Sequence, residues 1–366
     1  MKLKLKNTPE QVELIKAMAS KNATTSREAQ EAFAAFLGPV IQKVLNQAGT
    51  ASAVYTDAPY DEDDSPSYPL DLYYDESDNH ITVWSQGMAG GMPTSHVEGM
   101  KELKISTYRL DSAVSFLKKY ARRGRLDVVS KAVERMAQEV LVKQERNAWA
   151  VILKALGEAT TKGNKHTVTS DTESVFQVND LNKLMTRIKR VNESFANGTP
   201  DLAYSNGITD LYVSPEIKEQ IRAFAYQPMN TRNGASNSAG NVALPDSVRE
   251  DIFRAAGTQE IYGVNIVELN ELGASKKYNV LFGEFASTSI GHGGNFSTSD
   301  DEILVGIDNS RGAFIRPIAQ NADSGSQFVS LPDDQFAMRS EKVAFYGSLE
   351  EGRVCIDARA VVGIVV

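Results

Sequence analysis

The stretch LDVVSKAVERMAQEVLVKQERNAWAVILKAL, residues 126 to 156, constrains the fold more than any other part of this sequence. Val129, Val133, Met136, Val140, Ala148, Val151 and Ala155 share one helical face, with Gly124 before the stretch and Gly157 after it. At about 1.5 Å per residue such a helix is a rod of roughly 45 Å, about three times the average helix. Its apolar positions keep no strict seven-residue repeat, so the pattern predicts a spine that crosses a whole domain rather than a coiled coil. A chain of 366 residues has room for about two domains, and a core of that size needs no disulfide or metal to hold it.

Upstream of the spine, Thr8, Pro9 and Gln11 signal a helix start, and Thr25 with Glu28 signals a second. Phe33, Phe36, Leu37, Val40, Ile41, Val44 and Leu45 form its apolar stripe, with a kink expected at Gly38-Pro39. These helices suit either a core or an arm lying along another subunit. From about residue 50 to 107 the pattern changes to short alternating runs, HITVW (80 to 84) and LKIST (103 to 107), around the Gly-rich GMAGGMP. That predicts a long hairpin-like excursion.

Downstream, VNDLNKLMTRIKRVNESF carries a helical stripe through Leu181, Leu184, Ile188, Val191 and Phe195. ITDLYVS (208 to 214) reads as a strand, and Ser214 with Pro215 opens a helix through Ile217, Ile221 and Phe224. NTRNGASNSAGN (230 to 241) has no large apolar side chain and is expected to be mobile or to order on contact. IYGVNIVEL, YNVLFGEF and EILVGI are further strand candidates. KVAFYG and RVCIDARAVVGIVV, around SLEEG, suggest a closing β-hairpin. The whole is an α+β chain with one large inserted region.

Signatures of catalysis are missing. There is no phosphate-binding G-x-x-x-x-G-K-[ST] loop and no G-x-S-x-G elbow, and GMAGGM lacks the strand-then-helix setting of a dinucleotide site. His80, His96, His166 and His292 are scattered singly, without a second ligand at metal spacing. His292, in GHGGNFS, is the one candidate acid-base residue. Asp61, Glu62, Asp63 and Asp64 lack the alternating spacing and the turn glycine of a calcium loop. Cys355 is the only cysteine, sits in an apolar setting and fits a reducing cytoplasm. No signal peptide or membrane-length apolar run is present. Catalytic, cofactor and metal sites are therefore expected to be none.

Charge is the informative pattern. Residues 44 to 100 hold ten acids and no Lys or Arg. Nine of those acids crowd into DAPYDEDDSPSYPLDLYYDESD, residues 57 to 78, where like-charge repulsion favours an open chain. Residues 101 to 125 reverse the sign, eight bases against two acids, a balance of +6. A run such as KKYARRGR ordinarily reads as a nucleic-acid patch. In a chain of net charge -8, with a complementary acidic arm nearby, self-recognition is an equally reasonable reading. The residues expected at contacts between subunits are Asp61, Glu62, Asp63, Asp64, Tyr73, Tyr74, Lys118, Lys119, Arg122, Arg123 and Arg125. Exposed ion pairs contribute only about 0–1 kcal/mol each, so charge would set approach and register while apolar burial supplies the binding free energy.

The order of parts resembles the major capsid protein of tailed bacteriophages, the Hong Kong 97-type shell fold. LYVSPEIKEQIRAF (211 to 224) is similar to a strand, Ser-Pro cap and helix of that family's axial domain. GTQEIYGVNIVEL with YNVLFGEF is similar to its next strands, and GRVCIDARAVVGIVV to its final peripheral-domain strand. The resemblance implies an N-terminal arm over 1–50, an extended loop over 51–107, a peripheral domain from 108–165 with 325–366, and an inserted axial domain over 166–324. It implies a structural subunit and no enzyme, assembling in a host bacterial cytoplasm as hexamers and pentamers of an icosahedral virion head. The loop would lie across a neighbour, and 230 to 241 would face the capsomer centre. The expected partners are further copies, a separate scaffolding protein, a portal, decoration proteins and weakly contacted double-stranded DNA, with no membrane. Relatives often begin with a longer segment that is later cut away, so this subunit is expected to go untrimmed. The rival readings are an encapsulin-like nanocompartment shell and a cytosolic enzyme with an unrecognised site.

Overall fold

The computed structural model describes residues 8–61, 64–69, 102–161, 166–195, 207–223, 229–230, 241–242, 247, 250, 259–286, 290–292, 294–320, 327–332 and 341–366. The chain divides into two compact units. The first takes Met1–Tyr68, Lys104–Ala148 and Ile315–Val354, the second Pro69–Leu103, Trp149–Phe314 and Cys355–Val366.

In the first unit, α1 (Pro9–Met18) opens at the expected Thr8, whose side chain accepts from the Gln11 N–H at 3.4 Å. Helix α2 (Ala23–Ala48) starts ahead of the expected Thr25 box, because Asn22 accepts from the Thr24 N–H at 3.2 Å. Ser26 Oγ donates to the Met18 carbonyl at 2.6 Å and Gln30 Nε2 donates to Ser26 Oγ at 3.1 Å, so the buried polar groups between the two helices are satisfied. Ile15, Met18, Leu37 and Ile41 are fully buried. Of the two roles open to these helices, the structure shows them in their own unit's core.

A short helix, α3 (Lys118–Arg122), precedes the spine helix α4 (Leu126–Thr161). The spine runs past Gly157 rather than stopping there. Its Val129, Val133, Met136 and Val140 share the first unit's core with Phe33, Phe116, Phe328, Phe345 and Leu349. Those aromatics line a six-stranded sheet. Strand β1 (Thr56–Asp61) lies parallel to β12 (Phe314–Gln320), followed by β14 (Lys342–Glu351) and β13 (Val329–Pro332). Strand β4 (Tyr108–Leu117) pairs antiparallel with β14 over all ten residues, and β15 (Val354–Cys355) pairs with β12.

The expected closing hairpin does not form. The SLEE of the expected turn continues β14, held in register by β4, and β16 (Val361–Val365) joins a different sheet. That sheet, in the second unit, runs β5 (Thr167–Thr169), β16, β11 (Ile303–Ile307), β6 (Asp210–Val213), β10 (Val264–Glu268), β9 (Gln259–Ile261). All five residues of ILVGI in β11 are buried, the signature of a strand covered on both faces. Helix α5 (Val178–Phe195) lays Leu181, Leu184 and Ile188 on this core. Ser214 caps α6 (Pro215–Ala223) by accepting from the Ile217 N–H at 3.1 Å. Within the second unit the last turns of α4 bury Trp149, Ile152, Leu153 and Leu156, with Trp149 edge-on to Tyr212 at 4.8 Å.

Two strand expectations need correction here. IYGVNIVEL is two strands, because Tyr262 and Gly263 both take positive φ and close a two-residue hairpin. YNVLFGEF is not a strand but α7 (Lys277–Phe285), with Tyr278, Asn279 and Phe282 facing inward at helical spacing. The Asn279 amide donates to the Thr298 and Asp301 carbonyls and accepts from the Ile303 N–H. These tertiary bonds outweigh the β preference of the segment. The ribbon of β7 (Met229–Asn230) and β8 (Asn241–Val242) closes the ends of the expected mobile loop, whose interior lies outside the described residues.

Two outcomes test this packing. A methyl group at Gly347 on β14 would lie 2.3 Å from the Phe328 ring, which is buried. Gly347→Ala should therefore lower the urea midpoint, by about 1–3 kcal/mol of stability. In the second unit Glu302 is only 8% exposed, and burial with the Glu216 carboxylate nearby pushes its pKa up to about 7. The folded state keeps this proton after the unfolded chain has lost it, so the stability it contributes is full below about pH 4.5 and is lost as pH rises toward 7. Glu302→Gln should match the parent at pH 4.5 and exceed it by up to about 3 kcal/mol at pH 8 in urea titrations.

Candidate assembly surfaces

The excursion after residue 50 springs from a root that the first unit holds by buried charge. Glu145 on α4 accepts from Thr50 Oγ1 at 2.9 Å and from the Ala51 N–H at 3.2 Å. Tyr55 donates its hydroxyl to the Ala148 carbonyl at 2.9 Å, and the Arg353 guanidinium lies 4.8 Å from the centre of the Tyr55 ring. One residue into β1, Asp57 takes a two-pronged bond from Arg316 at 2.7 and 2.8 Å. The outgoing strand then places Tyr60 Oη on Glu350 at 3.1 Å, and the returning chain places Thr107 Oγ1 on the same carboxylate oxygen at 2.7 Å.

Glu351, next along β14, has no exposed surface. It accepts from Tyr108 at 2.7 Å, from Gln144 Nε2 at 3.0 Å and from Arg353 at 3.3 Å, with Arg316 at 4.0 Å. Burial and this carboxylate together push the Tyr108 phenol up to about 12, so it stays a donor throughout the physiological range. Both feet of the excursion thus hold adjacent carboxylates of one strand. Beyond them β2 (Ser67–Pro69) and β3 (Glu102–Lys104) form a two-stranded ribbon, and the Ile105 N–H donates to the Pro66 carbonyl at 3.1 Å. The intervening residues 70–101 lie outside the described residues. Glu350, Glu351 and Arg316 carried no signal in the sequence, since Tyr60, Thr107, Tyr108, Gln144 and Asp57 each lie more than 200 residues from the group they bond.

Of the expected contact residues, Asp61 and Asp64 are exposed, with the Asp64 N–H bonded to the Asp61 carbonyl at 2.9 Å. Glu62, Asp63, Tyr73 and Tyr74 lie outside the described residues. On the basic side Lys119, Arg122, Arg123 and Arg125 are exposed and Lys118 is half-buried. Arg122 Nε donates to the Ala19 carbonyl at 3.4 Å, a contact that seats α3 on the N-terminal helices. Among the described residues, Asp61 and Asp64 enter no ion pair with Lys119, Arg122, Arg123 or Arg125.

The candidate chemical groups sit in structural roles. His292 Nε2 is 2.9 Å from Ser170 Oγ, but that hydroxyl donates to the Thr172 carbonyl at 2.7 Å. The imidazole is thereby left as the donor, the wrong way round for activating a serine. Burial pushes the Cys355 thiol up to about 12, which removes the thiolate a nucleophile needs. Among the described residues no group of three or more His, Cys, Asp or Glu side chains is placed to hold a metal ion, and no helix is long and apolar enough to cross a membrane.

Replacing Glu351 should test the root directly. Glu351→Ala removes the carboxylate that pairs with the buried Arg353 guanidinium and accepts from Tyr108 and Gln144, and should cost about 3–5 kcal/mol in denaturant unfolding.

No protein-family model and no curated protein matches the sequence. Solved structures do match. The capsid of the cyanophage P-SCSP1u aligns at a TM-score of 0.50 with 11% identity, over 85% of this chain and 86% of that one. The capsid of a native GTA particle aligns at 0.50 with 12% identity, over 87% and 90%. An encapsulin from Synechococcus elongatus PCC 7942 aligns at only 0.43 with 10% identity, over 85% and 84%, and has no bearing on the assignment. Nearly the whole length is matched in each of the first two cases, so the likeness is of the complete architecture rather than of one shared motif. This chain has the mixed helix-and-sheet fold of the phage capsid proteins, as the order of its parts implied.

Proposed function

We propose that this chain is the major subunit of a closed icosahedral shell, assembling as hexamers and pentamers around a phage double-stranded DNA genome. The observation that carries the reading is the stem. The 32 residues 70–101 connect the two strands of a ribbon whose feet are fixed by Glu350 and Glu351. An acidic segment on such a mount, and an exposed cationic run at 118–125, suit reciprocal contact between copies. In this reading 1–50 is the N-terminal arm and 51–107 the extended loop; the resemblance implies 108–165 with 325–366 as the peripheral domain and 166–324 as the axial domain, but β16 lies in the second unit's sheet, so the closing strand is assigned to the axial domain. A scaffolding protein, a portal and decoration proteins are the further partners such a shell employs. A net charge of -8 suits a container whose wall must release DNA as readily as it admits it, since tight binding requires neutralising phosphates with Lys and Arg.

Neutralising Asp61, Glu62, Asp63 and Asp64 together to Asn or Gln tests the reading. The variant subunit should fold as the parent does but assemble more slowly or at higher concentration, with the difference greatest at low salt and fading as salt rises. Light scattering across a salt series reads this, and electron microscopy with nucleic-acid absorbance reads the particle and its content. Identical assembly of parent and variant at every salt concentration argues against the charge role, and protein cargo in place of DNA argues for a nanocompartment.

A further inference from the structure

We propose that the outer edge of β4 is a strand-addition site, filled by an extended acidic segment from a second copy of this chain. The inference rests on the self-assembly reading and names a surface through which that assembly is made.

The register between β4 and β14 is unbroken, from Tyr108 opposite Glu351 to Leu117 opposite Lys342. One residue further on, the Lys118 N–H donates to the Glu341 carbonyl at 2.8 Å, which fixes the parity of the ladder. Even-numbered residues from Tyr108 to Phe116 therefore turn their N–H and C=O toward β14. Arg109, Asp111, Ala113, Ser115 and Leu117 turn theirs the other way. Strand β4 pairs with β14 and with no other strand among the described residues, so five donors and five acceptors point outward in a row.

Proteins ordinarily blunt such an edge with a bulge, a proline, a charge in mid-strand or simple shortness. Here none of these devices is present over Ser112–Leu117: the pairing is regular, and SAVSFL carries neither charge nor proline. The odd-numbered side chains are all exposed, and the small Ala113 and Ser115 leave room for a neighbouring backbone. An unprotected six-residue stretch of edge is a liability in a lone subunit and an asset in one that pairs.

The charge around the edge selects the occupant. Lys118, Lys119, Arg122, Arg123 and Arg125 follow the strand at one end, with the last four exposed. A strand arriving there is favoured if it carries acids. Beyond Asp57, which Arg316 holds, this chain's own residues 61–78 carry eight acids and no Lys or Arg, so a second copy brings the complementary charge. Main-chain bonds would then provide the pairing and the cations its direction.

Hydrogen exchange reads the odd-even pattern. Free subunits and assembled particles are exchanged in deuterated buffer, dissociated under quench, and resolved residue by residue by fragmentation mass spectrometry. In the free subunit the amides of residues 110, 112, 114 and 116 should be protected and those of 109, 111, 113, 115 and 117 should exchange fast. In particles the odd-numbered amides should slow by at least about 100-fold, in the range of an internal ladder bond. Particles in which those amides exchange as in the free subunit overturn this inference and leave the shell reading standing. A chain that forms no particles overturns both. A variant checks the same point: Ala113→Pro removes one outward N–H and no bond to β14, so the subunit should keep its melting temperature and assemble at least 10-fold less readily. Assembly at the parent concentration by a folded Ala113→Pro subunit contradicts the proposal. If that variant does not fold, the exchange pattern of the unmodified chain decides alone.

Discussion

Everything distinctive about this chain depends on a buried carboxylate, Glu351, and its neighbour Glu350 at the end of one strand. A carboxylate without exposed surface is costly unless it is paired and hydrogen-bonded, and Glu351 has a phenol, an amide and two guanidinium groups around it. Those partners come from the outgoing strand's neighbour β12, the returning β4, the spine helix and the residue beyond the strand end. The arrangement holds together only if all of these segments arrive together. It therefore specifies where the excursion begins and ends, whatever the sequence between does. A chain that invests buried charge in fixing a stem has a use for what the stem carries.

The candidate chemical groups sit in local structure. His292, Ser170 and Cys355 are engaged in local bonds or held in protonation states unsuited to attack. Three features lie on the surface: a cationic run, an exposed acidic foot, and an edge of backbone groups. These suit recognition between copies in the shell proposed above.

Much of this was legible in the sequence because it is local. The spine helix follows from seven apolar residues on one face, the caps at Thr8 and Ser214 from side chains three residues from their donors, and the charge inversion from composition alone. The errors share one cause. YNVLFGEF has strand-like residues, and its helix is set by bonds from Asn279 to residues about twenty positions later. SLEEG has turn-like residues, and it is drawn straight by a β4 more than 230 positions earlier. Asn22 rather than Thr25 caps α2, although either side-chain type can serve as a cap. The root network was invisible for the same reason, being assembled from four distant segments. Self-recognition of the two charged runs was readable as a pattern, whereas the β4 edge became visible only once the register was known.

The central claim is that the acidic segment meets the cationic run of another copy rather than its own. Zero-length carbodiimide coupling in particles assembled from an equal mixture of light and ¹⁵N-labelled subunits tests it most directly. If the contact is between copies, links joining residues 57–78 to Lys118 or Lys119 should appear as light–heavy pairs about as often as same-label pairs. Links found only within one label would place both runs on a single chain and contradict the account.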